Sequence, residues 1–322
     1  MYYKMENKEP TLSICIPIYN RIFYLEKMLA RFLEDRDLFE EKIELIISDN
    51  HSKEELQPVV ENFEAQGLKL RYYRQVSNLG SDDNFLFCFS KATGKYCWLL
   101  GSDDIPVQGF LKYLIRQLDN DNEYGLIYLR QDVRNKLYNR VKSDEIYSEI
   151  VSNNQKMISE ISVWITFMSS SIIRTKFVRT IDLKKYSGTS LIQVPSYVKS
   201  CLLSEKNLLV NYNYCFEPDN DNASSGGYNF YEVFVENLFS IMQGFVDEGL
   251  YSKKWFEKFK KIEYDYFLIS NTKAIFIDKI DKIHKVDGAY RILWKYYGRK
   301  PYAYIDLVKY FCLRLIGKII GK

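Results

Sequence analysis

The chain has 322 residues, enough for two ordinary domains or one enlarged α/β domain with an appendage. With 47% hydrophobic, 27% charged and 16% aromatic residues it is neither disordered nor fibrous. The net charge of +3 is unevenly held: Lys and Arg outnumber Asp and Glu by 17 to 7 from residue 251 onward, against 28 to 35 before it.

Residues 11–17 (TLSICIP) form a β-branched apolar run stopped by Pro17, and residues 21–34 carry Leu25, Met28, Leu29, Phe32 and Leu33 at helical spacing. The cycle repeats, with strands expected at 43–48, 69–74, 96–100 and 125–130 and helices at 53–65, 82–91 and 108–118. Strands alternating with helices of this length predict an α/β fold with a parallel sheet covered on both faces. From Tyr228 the pattern turns helical, and Phe230, Phe234, Phe239 and Phe245 read as packing core. Residues 302–322 place Lys309, Arg314, Lys318 and Lys322 opposite Leu307, Phe311, Leu315, Ile316, Ile319 and Ile320, a basic amphipathic helix suited to an anionic membrane surface or to docking on the protein itself.

The six cysteines show no C-x-x-C and lie mostly in apolar runs, which points to reduced, buried thiols and a cytoplasmic location. His51 and His284 are the only histidines and lie far apart, which argues against a zinc cluster and leaves carboxylates to carry the chemistry. No secretory signal and no run of 18 apolar residues occurs, so the expected location is cytoplasmic, with a peripheral place on the inner face of the plasma membrane.

In a parallel sheet the ligand crevice lies off the carboxyl ends of the strands. The residues there are Pro17, Tyr19, Asn20 and Arg21; Asp49 and Asn50; Asn78 and Gly80; and Gly101-Ser102-Asp103-Asp104. Neither G-x-G-x-x-G after the first strand nor a P-loop is present, which counts against dinucleotide-binding and P-loop folds. The adjacent acids Asp103 and Asp104 repel one another unless compensated. A divalent cation does this with hard oxygen ligands, water and substrate phosphates; the alternative is a plain cap for the helix near Gln108.

With these residues in place, residues 12–110 resemble a family 2 glycosyltransferase. The resemblance rests on Ser13-Ile14-Cys15-Ile16-Pro17-Ile18-Tyr19-Asn20-Arg21, on Ile46-Ile47-Ser48-Asp49-Asn50, on Asn78-Leu79-Gly80 with Asn84-Phe85, and on Gly94-Lys95-Tyr96 leading into Gly101-Ser102-Asp103-Asp104. The spacing is similar to the abequosyltransferase-like branch that decorates bacterial surface polysaccharides.

The resemblance implies a GT-A fold: a mostly parallel, Rossmann-like sheet in residues 1–225 that binds nucleotide-sugar and carries catalysis, with a mainly helical region over 226–322. It implies that Pro17 and Tyr19 shape the nucleotide pocket, that Asp49 accepts from the base, that Asp103 holds the ribose and sugar side, and that Asp104 ligates Mn²⁺ or Mg²⁺. Asn20, Arg21, Asn50, Asn78 and Asn84 complete the expected nucleotide-sugar site. Asn20 and Asn50 also suit turns that satisfy their own backbones. Gly101 stands where many relatives have a further Asp, which takes away one polar contact and leaves the metal ligand. The reaction expected is inverting transfer from a UDP-sugar to a glycan or polyprenyl-linked acceptor.

An inverting transferase needs a carboxylate base. Relatives often carry an acid pair about ninety residues past the metal site, where this chain reads Ile192-Gln193-Val194-Pro195-Ser196-Tyr197. The candidates are then Glu217, Asp219 and Asp221, in a polar loop, with Asp182 and Glu205 also within reach. Each also reads as a solvated loop charge. Because that base position lacks an acid, a non-catalytic sugar-binding scaffold is the alternative function. A nucleotidyltransferase lacks its basic Gly-rich loop, and the acidic body speaks against nucleic acid as a partner.

Overall fold

The computed structural model describes residues 9–120, 122–130, 146–211, 214–216, 227–275, 285–306, 308–309 and 312. The chain divides into two compact units, Met1–Ile158 with Phe167–Asp219 and Ser159–Thr166 with Asn220–Lys322.

The first unit is built on an eight-stranded sheet. Its strands are β1 (Leu12–Ile18), β2 (Ile43–Asp49), β3 (Arg71–Arg74), β4 (Tyr96–Leu99), β6 (Leu126–Arg130), β7 (Tyr147–Val151), β8 (Ser171–Arg174) and β9 (Asn207–Asn211), while β5 (Ile105–Pro106) and β10 (Cys215–Phe216) form a separate antiparallel pair. The sheet order is β3-β2-β1-β4-β8-β6-β9-β7. β1 to β4 are parallel, and β8 enters antiparallel between β4 and β6. β6 and β9 run parallel, and β7 closes the sheet antiparallel to β9. The sheet is therefore mixed and not uniformly parallel as the β-α alternation suggested. β7, β8 and β9 gave no clear strand signal, because they are only four or five residues long and take their places by pairing with strands distant in sequence.

The helices α1 (Ile22–Leu33), α2 (Arg36–Glu41), α3 (Gln57–Ala65), α4 (Gly80–Lys91), α5 (Phe110–Asp119), α6 (Asn154–Ile161), α7 (Thr175–Val178) and α8 (Val194–Leu202) follow. α1 buries Leu25, Met28, Leu29 and Phe32, one stripe at helical spacing. α3 begins at Gln57, later than expected, because Pro58 suits the first helical turn and Lys53–Leu56 is a bend followed by irregular chain. All seven residues of β1 are buried, as a central parallel strand requires.

The second unit contains α9 (Leu238–Asp247), α10 (Lys253–Glu263), α11 (Ile269–Lys273) and α12 (Ala289–Tyr297). Phe239 is fully buried and meets the rings of Phe256, Phe259, Tyr296 and Tyr297. Phe230 and Phe245 are buried and Phe234 half-buried, so these aromatics are packing core. No helix among the described residues is long and apolar enough to cross a membrane. Of the basic tail, residues 307, 310–311 and 313–322 lie outside the described residues; Tyr304, Ile305 and Val308 are exposed and Ala303 is buried.

Candidate functional site

The parallel strands β1 to β4 release their chains at one edge, and side-chain hydrogen bonds tie the four exits together. After β1 the chain turns at Asn20, whose left-handed φ of +53° suits a short polar side chain. The Asn20 N–H donates to Ser52 Oγ (2.9 Å), and Asn20 Oδ1 accepts from the Lys53 N–H (2.7 Å). Asn50 joins the next pair of exits: its Nδ2 donates to Asn78 Oδ1 and to the Gly80 carbonyl (both 3.0 Å), and its Oδ1 accepts from the Leu79 N–H (2.8 Å). Asn84 is buried and bonds Ser48 at both ends of its amide, which locks α4 to β2. Pro17 is buried within β1, Tyr19 is exposed, and Asn78 is exposed.

Asp49 ends β2 with no exposed surface. Its Oδ1 accepts from the Ser52 N–H and its Oδ2 from the Tyr72 hydroxyl (both 2.8 Å), with Arg74 Nε 4.0 Å away. Burial, and then the Asp49 carboxylate, push the Tyr72 phenol well up, so it remains a donor. Tyr72 and Arg74 were not foreseen: in sequence they are part of a strand, and only the β2–β3 register brings them beside Asp49.

The acidic turn follows β4. No cation lies near Asp103 and Asp104 in sequence, but the fold brings Arg21 into an ion pair with Asp103, both part-exposed. Asp104 Oδ2 accepts from Ser169 Oγ (2.5 Å), and Ser169 Oγ accepts in turn from the Gly101 N–H (2.8 Å). The Cys215 thiol lies 3.9 Å from Asp104 Oδ1; burial and then the Asp104 charge push that thiol up, which keeps it protonated. A Cβ on Gly101 would stand 2.6 Å from Asp104 Oδ2 and 3.2 Å from Ser169 Oγ. The glycine is thus what lets Asp104 lie against Ser169. Ser169 was missed because its only signal is a short serine run before β8.

Gln193 is buried at the start of α8 and offers no base. Asp182 is an exposed cap that accepts from the Lys184 N–H (3.2 Å), and Glu205 is exposed. Glu217, Asp219 and Asp221 lie outside the described residues, as does His284. His51 is exposed with φ +64°. Among the described residues no group of three His, Cys, Asp or Glu side chains surrounds a metal position; the pair Asp103 and Asp104 offers two hard carboxylates, which suits an ion that draws its other ligands from water and phosphate.

The profile described as Glycosyl transferase family 2 matches residues 13–181. The abequosyltransferase RfbV of Salmonella typhimurium is 30% identical over 217 residues, 62% of this chain and 63% of that protein. The GalNAc(5)-diNAcBac-PP-undecaprenol beta-1,3-glucosyltransferase of Campylobacter jejuni is 29% identical over 113 residues, 34% of each chain. The chain thus spans less than two thirds of the length of these relatives. Among solved structures, S. aureus TarS 1–349 in complex with UDP-GlcNAc superposes with a TM-score of 0.65 at 16% identity, covering 97% of this chain and 92% of that one. The mannosyltransferase PcManGT from Pyrobaculum calidifontis, in complex with GDP-Man and Mn²⁺, gives 0.51 at 12% identity, covering 98% and 89%. At such identities the likeness is one of fold, and that fold is GT-A.

Proposed function

The chain belongs to glycosyl transferase family 2, and on that premise we propose that it transfers a sugar from a UDP-sugar, with inversion, to a glycan or lipid-linked acceptor in bacterial surface polysaccharide synthesis. The observation that carries this reading is the hydrogen-bonded edge at the ends of β1 to β4, with Asp49 at one exit and the paired Asp103 and Asp104 at another. The UDP-GlcNAc in the TarS structure and the Mn²⁺ in the mannosyltransferase support it.

In this reading Asp104 ligates Mn²⁺ or Mg²⁺ and Asp103 holds the ribose and sugar side of the donor. When bound, the ion neutralises charge that develops on the departing diphosphate. Arg21, paired with Asp103 at rest, supplies a second positive group beside the diphosphate. A carboxylate has about four acceptor positions, so Asp49 keeps capacity for a base N–H after Ser52 and Tyr72 are served. Pro17 and Tyr19 form the wall of the nucleotide pocket, and Asn20, Asn50, Asn78 and Asn84 hold its loops in register. Calorimetry tests this reading. Asp104→Asn should lower uridine diphosphate affinity about tenfold or more in Mn²⁺, and uridine diphosphate should outcompete guanosine and adenosine diphosphates. Affinity that is independent of metal and of Asp104 would overturn it.

The acceptor's lipid carrier gives the basic tail its place in the same reading. Residues 302–322 attach the protein to anionic bilayers at roughly 1 kcal/mol per basic residue. Vesicle co-sedimentation of the full chain and of a chain ending at Lys300 checks this: the shorter chain should stay in the supernatant, and equal pelleting of both would remove the membrane from the proposal.

A further inference from the structure

One carboxylate beside the strand ends plays no part in the arrangement above. Asp82 lies in the first turn of α4, two residues past the Gly80 carbonyl that Asn50 grips, and is 8% exposed. Its Oδ2 accepts from the Gly188 N–H (2.8 Å) and the Ser190 N–H (3.1 Å), so it is fixed in direction. Its Oδ1 is shielded from solvent and finds no hydrogen-bond partner among the described residues. A buried acceptor with no donor is destabilising, and an arriving hydroxyl would remove that cost. Residues 187–199, which lead into α8, contain no Asp or Glu. Asp82 is an acid that the fold brings to that stretch. Burial, with the charge of the neighbouring Asp83 adding to it, pushes the Asp82 carboxyl up, against the backbone N–H groups of Ser190, Gly188 and Ile192. Such a shift moves a carboxylate toward the range where it accepts protons effectively.

We propose that Asp82 is the general base of the transfer. This rests on the glycosyltransferase reading above. Asp82 Oδ1 takes the proton of the acceptor hydroxyl while that oxygen forms its bond to the anomeric carbon. The bond from that carbon to the diphosphate oxygen breaks, and its electron pair leaves with the nucleoside diphosphate. Gly188 (φ +84°) and Ser190 (φ +57°) place two left-handed residues in the loop that covers Asp82. The step requires this loop to turn aside and uncover Oδ1, and residues in such sparsely populated conformations are where a switch of that kind is found.

The test uses the full chain and follows nucleoside diphosphate release against pH, with water as acceptor, Mn²⁺ present, and a panel of uridine, cytidine, guanosine, adenosine and thymidine diphosphate sugars. The wild type should release diphosphate from at least one donor, at a rate that falls on the acid side as Asp82 is protonated. Asp82→Asn keeps an acceptor oxygen for the two loop N–H groups but takes up no proton. It should be slower by about a hundredfold or more and lose the acid limb, with melting temperature and uridine diphosphate affinity unchanged. Azide, a nucleophile that needs no base, should restore release in Asp82→Asn, which a variant damaged only in its fold would not show. Wild-type rates and an intact acid limb in Asp82→Asn would overturn the assignment, as would loss of that limb in Asp219→Asn or Asp221→Asn alone. Failure of the wild type to release diphosphate from every donor is a separate result, and removes the glycosyltransferase reading together with its base.

Discussion

The α/β unit and the helical unit each bury a carboxylate completely and surround it in opposite ways. Asp49 is met by a backbone N–H, a phenol and a nearby guanidinium drawn from the β2 exit and β3. Glu263 ends α10 where the helix widens into the π-helical turn Tyr264–Leu268, and among the described residues its Oε1 is met by Ser162 Oγ (2.7 Å). Its Oε2 has no hydrogen-bond partner among the described residues. Burial pushes the Glu263 carboxyl to about 8, with the Ser162 hydroxyl opposing. The contrast shows that depth alone does not prepare an acid for ligand work. The number and charge of the groups around it decide how many of its acceptor positions are filled.

The largest effect expected from breaking this contrast is at Asp49. Asp49→Ala would leave the half-buried Tyr72 hydroxyl and the buried Ser52 N–H without their acceptor, at about 1–3 kcal/mol for each group. Urea denaturation should show roughly 3 kcal/mol of lost stability, and a variant as stable as the wild type would mean that neither bond matters.

Glu263 should respond in the opposite direction. Its folded pKa of about 8 lies above the ordinary carboxylate value of 4.5, so the native state holds a proton that the unfolded chain releases. The stability tied to that proton is complete below pH 4.5 and declines as pH rises until it is gone above about 8. Glu263→Gln removes the penalty while keeping an acceptor for Ser162. Its melting temperature should match the wild type near pH 4 and exceed it increasingly toward pH 9, an advantage of a few kcal/mol. Parallel melting curves for the two proteins across that range would show that Glu263 is ionised in the fold.

The two smaller effects sit around Asp104. Ser169→Ala removes the hydroxyl that Asp104 Oδ2 accepts from, and should weaken uridine diphosphate binding in Mn²⁺ by about tenfold, the scale of a lost supporting contact. Gly101→Ala should cost a few-fold in the same calorimetric measurement. Its Cβ presses on the end of a flexible carboxylate, not on backbone, so Asp104 yields instead of the turn. If Gly101→Ala weakened binding more than Ser169→Ala, the glycine would be holding the backbone and not the carboxylate.

Much of the α/β unit was legible in sequence because its information is local. β-branched runs such as residues 12–18 and the stripe of Leu25, Met28, Leu29 and Phe32 state their periods within a dozen residues, and the motif residues follow directly at the strand ends. The antiparallel insertion of β8 was not legible, since β8 is only four residues long and takes its place from pairing with β4 and β6. The same limit applied to charge: Asp103 looked uncompensated because its partner, Arg21, lies 82 positions earlier.

The sequence by itself determined the alternating strand-helix order, the acidic turn after β4 and the absence of an acid at the start of α8. Tertiary structure alone decided that Ser169 would hold Asp104, that Tyr72 and Arg74 would serve Asp49, and that Asp82 would reach the loop at Gly188 and Ser190. Each of these pairings joins residues more than twenty positions apart, and no local preference encodes it. It follows from which strands lie side by side, and that arrangement is set by burying the apolar faces of the whole sheet at once.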